Sequence, residues 1–272
     1  MNVAIVTNDA TQVYQRQVIA GIQNQLQHSV DDIAIINTGE ALAHLEPGAF
    51  DSVDGVLVIA HTLADDTLLA LHTAGVPLTL ISHQLPGTDI PAVVPDNAGG
   101  IAQLVHYLVN GAGRTRIAFI TGDHNQTDGR ERTTTFRREI MRAGITLDDA
   151  LFLPGDFSVD VAVRSVQQAL ANGLQFDALA AADYLMAQAA VNVLREAGVS
   201  IPEDVAVVGI GDGPEAADAG LTTAGINVTQ IGIHAARQLL AQLHGSHIRG
   251  ITRIATSIVH RSSTPQPAHT TQ

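Results

Sequence analysis

The amino-acid sequence predicts an α/β protein made of two lobes, each organised around a doubly wound parallel sheet. Short apolar runs rich in β-branched residues, such as the run from 117 to 120, alternate with longer segments whose apolar residues recur at helical spacing. Strands that alternate with helices in this way are typical of parallel sheets with helices on both faces. The alternation starts afresh after Gly111-Ala112-Gly113, and two successive sets indicate two lobes.

The first set of elements begins close to the first residue. An apolar run from 3 to 6 predicts a strand, and apolar residues at 13, 18, 19, 22 and 26 predict the helix that follows it. The same reasoning predicts strands at 33–36, 55–59, 76–81 and 93–94, and helices around 68–71 and 101–108. Gly75 is predicted to end the second of these helices.

The second set repeats this architecture without repeating its residues. It predicts strands at 117–120, 150–153, 178–181 and 205–210, and helices at 128–143, 159–170 and 185–197. The polar loop from 123 to 127 joins the carboxyl end of a strand to the amino end of a helix, which is where open α/β sheets hold ligands. Arg132 lies one turn into that helix, and its planar fork suits a carboxylate or a pair of hydroxyls. The alternative is a surface ion pair with Glu131 or Asp128.

Composition and charge exclude several classes of protein. At 272 residues and 46% hydrophobic content, the chain is long and apolar enough for two lobes with cores of their own. Its formal charge of −13, with only 14 Lys and Arg, provides no broad basic face, so we expect no DNA binding by this polypeptide alone. The absence of cysteine excludes disulfides and thiolate chemistry. We expect a cytoplasmic protein, because the sequence has no leader-like start and no apolar run long enough to cross a membrane.

The sequence also lacks the motifs that carry enzyme chemistry. Gly209-Ile210-Gly211-Asp212-Gly213 has two glycines of a dinucleotide-binding fingerprint but not the third. No phosphate-binding loop, nucleophile elbow or zinc-binding H-E-x-x-H motif occurs. We therefore expect no enzyme activity, no cofactor and no metal site.

Several short stretches together resemble one known family. They are P-D-N-A-G-G at 95–100, G-A-G-R-T-R-I-A-F-I-T-G at 111–122, R-E-R-T-T-T-F at 130–136, I-P-E-D-V-A-V-V-G-I-G-D at 201–212, L-T-T at 221–223, the helix at 232–243 and R-I-A-T-S-I-V-H-R-S-S-T-P at 253–265. As an ordered set they resemble the effector-binding core of the lactose-repressor (LacI/GalR-type) transcription regulators. The resemblance covers essentially the whole chain. It implies a periplasmic-binding-protein-like type I fold, in which two Rossmann-like lobes around a ligand-binding cleft are joined by three hinge crossings, and usually a homodimer.

The resemblance also implies where the lobes begin and end. The N-terminal lobe is expected at 1–111 plus 228–250, the C-terminal lobe at 112–227 plus 251–264, and a flexible tail at 265–272. A strand at 254–259 is expected to close the second lobe. Members of the family normally carry a helix-turn-helix headpiece, whereas the first strand here is predicted from residue 3. We therefore expect DNA contact only through a headpiece absent from this chain.

Matching the family residue by residue implies a set of ligand-binding positions. Arg132 matches the arginine that points at the effector, Asp128 a polar position one turn earlier, and Phe157 an aromatic residue that stacks on a sugar or base. The position that usually offers an acid near 211 is Gly211 here, and the acid follows at Asp212. The remaining expected positions follow strands or begin helices: Asp9, Tyr14, His83, Asp96 and Asp183.

Each of these assignments has an alternative. Phe157 also fits a core position, and Asp128 and Asp183 also fit the amino ends of helices as caps. Asp96 in Pro-Asp-Asn also fits a turn. His83 is one of 12 histidines, so a histidine near a ligand site carries little information.

The charges around Arg132 predict the kind of ligand. Carboxylates accept hydrogen bonds from hydroxyls and repel anions, which favours a neutral, hydroxyl-rich molecule such as a sugar or a nucleoside-like compound. The favoured function is therefore the effector-sensing core of a LacI-type transcriptional regulator. The alternatives are a solute-binding protein of a transporter, an input module of a signalling protein, and an α/β enzyme whose site has no recognisable motif.

Overall fold

A computed structural model describes residues 1–45 and 47–265 of the chain, which form two compact units. Unit 1 comprises Met1–Pro95 and Asn227–Ile254, and unit 2 comprises Asp96–Ile226 and the described residues from Ala255 onward. Each unit contains a six-stranded sheet, and helices connect most of the successive strands, which confirms the predicted fold class. The chain passes from one unit to the other three times, as the family resemblance implies.

Unit 1 is built on a wholly parallel sheet. Its strands are β1 (Asn2–Thr7), β2 (Asp32–Asn37), β3 (Gly55–Ile59), β4 (Leu78–Ile81), β5 (Ala92–Pro95) and β11 (Ile251–Ile254). Their order in the sheet is β11-β5-β4-β3-β1-β2, and every pairing is parallel. Strands β3, β4 and β5 are buried along their whole length, because a central parallel strand is covered on both faces. Edge strand β2 is largely exposed.

The helices of unit 1 are α1 (Val13–Leu26), α2 (Asp65–Thr73) and α8 (Val228–Leu243). Helices α1 and α8 pack against each other through glycines. A Cβ atom on Gly21 would lie 2.2 Å from the Thr229 carbonyl oxygen, and one on Gly232 would lie 2.2 Å from the Val18 carbonyl oxygen. The two glycines therefore let the backbones approach more closely than any side chain would allow.

Unit 2 is built on a second sheet with one antiparallel edge. Its strands are β6 (Ile117–Ile120), β7 (Phe152–Leu153), β8 (Ala178–Ala181), β9 (Ala206–Ile210), β10 (Thr222–Ile226) and β12 (Thr256–Val259). Their order is β12-β10-β9-β8-β6-β7, in which only the β12–β10 pairing is antiparallel. Its helices are α3 (Asn97–His106), α4 (Thr127–Arg142), α5 (Val159–Ala171), α6 (Tyr184–Glu196) and α7 (Pro214–Asp218). The last turn of α3 widens into a π-helical segment at Tyr107–Gly111.

The core of unit 2 explains why α3 belongs to it. The rings of Phe119 on β6 and Phe136 on α4 stack with centroids 4.3 Å apart. Ile101 and Leu104 on α3 are buried in the same apolar cluster. The apolar face of α3 is therefore covered within unit 2, because it lies against α4 and the sheet of that unit.

The unit boundaries differ from the expected ones at all three crossings, by one residue at the second and by more at the other two. The first was expected at Gly111-Ala112-Gly113 but lies at Pro95–Asp96, because α3 packs in unit 2. The third was expected near 250 but follows Ile254, because β11 pairs in parallel with β5. The single strand expected at 254–259 is thus two strands in different sheets. The second crossing follows Ile226, one residue before its expected place.

Two further expectations concern the ends and the surface of the chain. Apart from Pro265, the expected flexible tail at 265–272 lies outside the described residues. Among the described residues, no helix has both the length and the apolar character needed to cross a membrane.

We predict that Gly21→Ala lowers the free energy of unfolding by about 1–3 kcal/mol, because the new methyl group would overlap the α8 backbone. Urea denaturation measures the effect. Asn24→Ala, on the exposed face of the same helix, is the matched control and should change stability by less than about 0.5 kcal/mol. Equal stabilities of Gly21→Ala and the native chain would show that α1 and α8 do not pack this closely.

Candidate functional site

In each unit the polar residues expected to bind ligand lie at the carboxyl edge of the sheet. In unit 1, Asp9 follows β1 and His83 follows β4. In unit 2, Phe157 follows β7, Asp183 follows β8 and Asp212 follows β9. This is the edge at which open parallel sheets bind ligands, because the strand-to-helix loops converge there.

The centre of the unit 2 edge is the guanidinium group of Arg132. Only 7% of the Arg132 side chain is exposed. Its Nε donates to the Asn97 Oδ1 at 2.8 Å, and its Nη1 donates to the Ala182 carbonyl oxygen at 2.7 Å. Its Nη2 donates to the Asp128 Oδ2 at 3.3 Å, which also forms an ion pair. These bonds use three of the five N–H groups of a guanidinium.

The alternative interpretation of Arg132 was an ion pair with Asp128 on a solvated surface. The structure has this ion pair, but Arg132 is buried. Instead of a solvated surface pair, Arg132 is a buried charge whose partners come from α3, from α4 and from the residue after β8. A buried guanidinium requires such partners, since an unpaired buried charge costs several kcal/mol. The burial of Arg132 therefore fixes the relative positions of three elements at this edge.

Phe157 lies beside this cluster in a strained loop. Asp156 and Phe157 both have positive φ, 52° and 54°, a conformation that costs energy in residues other than glycine. The Phe157 ring centroid lies 5.6 Å from the Arg132 Cζ, within range of a cation–π interaction. A Cβ atom on Gly122 would lie 2.4 Å from the Phe157 Cζ, so Gly122 makes room for the ring. Phe157 is only partly buried, and it also packs against the apolar core as its alternative interpretation proposed.

Asp96 and Asp183 both cap helices. The Asp96 Oδ1 accepts from the Gly99 amide at 3.0 Å at the start of α3. The Asp183 Oδ1 accepts from the Leu185 and Met186 amides at 2.8 Å and 3.2 Å at the start of α6. Burial raises the pKa of Asp183 above its ordinary value, although these amides and the charge of Arg132 act in the opposite direction. Asp183 therefore caps α6 and directly follows Ala182, whose carbonyl oxygen accepts from Arg132.

Asp212 is engaged away from the Arg132 cluster. Its two carboxylate oxygens accept from the Arg261 Nη1 and Nη2 at 2.8 Å and 2.9 Å, and its Oδ1 also accepts from the Thr223 hydroxyl at 3.0 Å. Burial alone would raise the pKa of Asp212, but the bonds from Arg261 and Thr223 hold it below the ordinary value. No observation tests the expected ligand contact of Asp212, which stays a prediction, and its carboxylate is already paired with Arg261.

The unit 1 edge carries a second polar cluster. The Tyr14 hydroxyl is hydrogen-bonded to the Ser82 hydroxyl, and Ser82 has a positive φ of 52°. The His83 Nδ1 lies 3.2 Å from the His61 Nε2. Asp9 accepts from the hydroxyl and the amide of Thr11, which lowers the pKa of Asp9. Tyr14 is thus hydrogen-bonded to the residue before His83, whereas Asp9 is hydrogen-bonded within its own turn.

Three residues of these clusters were not expected from the sequence. Asn97 and Ala182 hold Arg132 in unit 2, and His61 pairs with His83 in unit 1. Asn97 stands within the P-D-N-A-G-G motif, so its place after a strand is the signal that could have identified it. The Ala182 contact is made by a backbone oxygen and has no signature in the sequence.

A separate cavity of about 850 Å³ lies beside edge strand β7 and α5, away from these clusters. Its lining includes Arg116, Phe152 and Arg164 but none of the expected ligand-binding residues. It is a groove on the outer edge of the sheet. Among the described residues, no group of three or more His, Cys, Asp or Glu is arranged to hold a metal ion.

Comparison with known proteins identifies the family. A family model described as a periplasmic binding protein-like domain matches residues 105–264, more than half of the chain. The chain belongs to this family. In this periplasmic binding protein-like chain, most residues expected to bind a ligand lie at the carboxyl edges of the two sheets, where α/β proteins of this class usually bind ligands.

Three similar proteins narrow the comparison. The HTH-type transcriptional regulator CelR of Thermobifida fusca is 35% identical over 197 residues, which are 71% of this chain and 58% of the relative. A solved structure of a CelR–cellobiose complex matches with a TM-score of 0.87 and 29% identity over 96% of this chain and 84% of that one. A LacI-family sugar-binding transcriptional regulator from Escherichia coli, solved with phosphate, matches in fold with a TM-score of 0.84 and 21% identity, over 98% of this chain and 99% of that one.

These comparisons confirm the resemblance to LacI-type effector-binding cores and the expectation that the chain is not an enzyme. The chain spans 58% of the length of the CelR relative. The activity and partners of a whole regulator therefore belong to the proposals below.

We predict that Asp212→Asn lowers the free energy of unfolding at pH 7 by about 1–3 kcal/mol, because Arg261 loses a charged partner. A carboxyl whose folded pKa is lowered stabilises the fold above its unfolded pKa, near 3.9, and loses that contribution as pH falls through the folded pKa. The difference between variant and native chain should therefore shrink below about pH 4.

Urea denaturation at pH 7 and at pH 3 measures both values. Asp218→Asn, an exposed acid on α7, is the matched control and should have little effect at either pH. A variant that is as stable as the native chain at pH 7 would show that the Asp212–Arg261 pair contributes nothing to the fold.

Proposed function

We propose that this chain is the effector-sensing core of a LacI-type transcriptional regulator and that its effector is a neutral, hydroxyl-rich molecule, with sugars as the first class to test. The observation that carries the proposal is the buried Arg132 at the carboxyl edge of unit 2, partly neutralised by Asp128 and faced by Phe157. The likeness of nearly the whole chain to a regulator solved with cellobiose supports the same class of ligand.

The chemistry of the Arg132 cluster favours a neutral ligand over an anion. Asp128 lies 3.3 Å from the Arg132 Nη2 and offsets its positive charge. Asp183 directly follows Ala182, whose carbonyl oxygen accepts from Arg132. The carboxylate oxygens of both acids accept hydrogen bonds from hydroxyls, while the two N–H groups of Arg132 not used by Asn97, Ala182 and Asp128 suit hydroxyl oxygens. Phe157 offers a ring for the apolar face of a sugar or base.

Residues of unit 1 are also assigned to effector binding. Asp9 and His83 follow strands at the carboxyl edge of their own sheet, and Tyr14 lies in the first turn of α1. Asp96, Asp183 and Asp212 are assigned on the family resemblance. In this proposal the effector stabilises one arrangement of the lobes, which requires that it bind that arrangement more tightly than the others. The change is passed to a DNA-binding headpiece, and the regulator acts in the cytoplasm. The alternative of a transporter's solute-binding protein is less favoured, because the relatives reported above are transcriptional regulators.

We predict that cellobiose or another compound in a panel of sugars and nucleosides binds the chain and raises its melting temperature. Arg132→Lys should weaken that binding by about 10- to 100-fold, because a lysine keeps the charge but cannot form the fork that contacts Asn97, Ala182 and Asp128. Lysine is preferred to alanine here, since removing a buried arginine would also destabilise the fold.

Isothermal titration calorimetry measures both affinities. Arg138→Lys, on the exposed side of the same helix, is the matched control and should bind as the native chain does. Native affinity in Arg132→Lys would remove Arg132 from the site. The absence of binding by every sugar and nucleoside would overturn the proposed ligand class.

We also assign a homodimer to this regulator. Ile35 on edge strand β2 is 41% exposed, and the outer edge of β2 has no neighbouring strand in the sheet of unit 1. The unpaired backbone groups of an exposed edge strand can bind the same strand of a second copy, which supports a partner surface at β2.

We predict that the chain sediments as a dimer in analytical ultracentrifugation and that Ile35→Lys shifts it to a monomer, because a charge replaces apolar surface in the contact. Met141→Lys, at an exposed apolar residue on α4, is the control and should leave the dimer intact. A native chain that sediments as a monomer at high micromolar concentration would contradict the assignment.

A further inference from the structure

The first crossing of the chain leads directly into a buried polar contact. Pro95 is the last residue of unit 1 before the crossing, and Asn97 is the first residue of α3. The side chain of Asn97 is completely buried. Its Oδ1 accepts from the Arg132 Nε at 2.8 Å, and its Nδ2 donates to the Asp128 Oδ1 at 2.9 Å and to the Glu131 Oε2 at 3.0 Å.

The hydrogen-bond partners of Asn97 require both an acceptor and a donor at this position. Among side chains of this shape, only an amide supplies both. The carbonyl oxygen faces a cation, and the two amide hydrogens face two carboxylates. An aspartate would place a third carboxylate against Asp128 and Glu131, and leucine would remove the hydrogen bonds from this position to all three charged groups. Residues 128, 131 and 132 share one face of α4, so a single amide can reach all three.

The crossing and the start of α3 form one hydrogen-bonded piece. The Asp96 Oδ1 accepts from the Gly99 amide, and the Asp96 carbonyl accepts from the Gly100 amide at 3.0 Å. Asn97 lies inside this turn and has no room to change its side-chain orientation. A shift of Arg132 or Asp128 therefore acts on the first turn of α3 through the hydrogen bonds of the Asn97 side-chain amide.

We propose that Asn97 is a positioning residue that holds Arg132 and Asp128 in their ligand-binding orientation and couples them to the first crossing between the units. The inference rests on the proposed function, because Arg132 and Asp128 are its ligand-binding groups. It adds a residue that does not contact the ligand, and it names the hydrogen bonds through which ligand occupancy acts on the backbone at Asp96.

The first test needs no ligand. Hydrogen exchange of the Gly99 and Gly100 amides is measured by NMR in the full chain, in Arg132→Lys, in Asn97→Ala and in the double variant. Arg132→Lys should speed exchange at both amides by about tenfold, the value of one charge-assisted hydrogen bond, and should add little in the Asn97→Ala background. Exchange that does not respond to Arg132→Lys, or that responds equally with and without Asn97, would overturn the coupling.

The second test separates positioning from support of the fold. Asn97→Asp keeps the acceptor for Arg132 but sets a carboxylate against Asp128 and Glu131, so cellobiose binding measured by calorimetry should weaken by about tenfold at pH 8. The loss relative to the native chain should diminish towards pH 5, because protonation restores a donor at this position. Glu131→Gln added to Asn97→Asp should also restore affinity, since the new amide supplies a donor and the net charge returns to the native value.

The controls make the outcomes distinct. Glu131→Gln alone should bind cellobiose as the native chain does, and urea denaturation reports the stability of each variant. An Asn97→Asp chain with native affinity, or a loss of affinity that neither low pH nor Glu131→Gln relieves, would remove Asn97 as a positioning residue. Failure of the native chain to bind cellobiose or any other compound in the panel would count against the proposed function, and the exchange experiment would still decide the coupling.

Discussion

The buried guanidinium of Arg132 is the constraint on which the unit 2 edge depends. A buried charge needs hydrogen-bond or ion-pair partners. The partners of Arg132 are Asn97 at the start of α3, the Ala182 carbonyl oxygen after β8 and the Asp128 carboxylate one turn earlier on α4. Those three elements are separated in the sequence by 35, 50 and 4 residues from Arg132. The hydrogen bonds of one cation therefore hold these three elements together at the carboxyl edge of unit 2.

The same cluster explains why a strained loop persists beside it. Positive φ at both Asp156 and Phe157 costs on the order of 1–3 kcal/mol for each residue, so the surrounding structure must hold them there. The glycine at 122 gives the Phe157 ring its place, and the Arg132 charge lies within 5.6 Å of the ring centroid. In this conformation the face of the Phe157 ring lies beside the Arg132 guanidinium, and the ring also packs against the core of unit 2.

The sequence was sufficient for the alternation of elements and for the place of Arg132, because both follow from local periodicity and from the strand-to-helix order. It was insufficient where the decisive contact is distant. Helical spacing shows that α3 has an apolar face but not which core covers it, so the first crossing was expected sixteen residues too late. In the sequence Asn97 has the character of a turn residue, and only the structure shows its contacts with three charged side chains. Asp212 forms its ion pair with Arg261, which lies 49 residues further along the chain.

The departure at Gly211 follows from packing and has a consequence for the ligand. Gly211 has a φ of +86°, and a Cβ atom there would lie 3.0 Å from the Tyr184 ring, so a side chain at this position would be strained and crowded. Tyr184 is buried, so its ring is held by the side chains packed around it. Burial and the nearby charge of Glu215 raise the pKa of Tyr184 to about 12. With no side chain at 211, the acid that follows β9 is Asp212, and both of its carboxylate oxygens accept from Arg261. A ligand that contacted Asp212 would therefore have to compete with Arg261 for the same carboxylate oxygens.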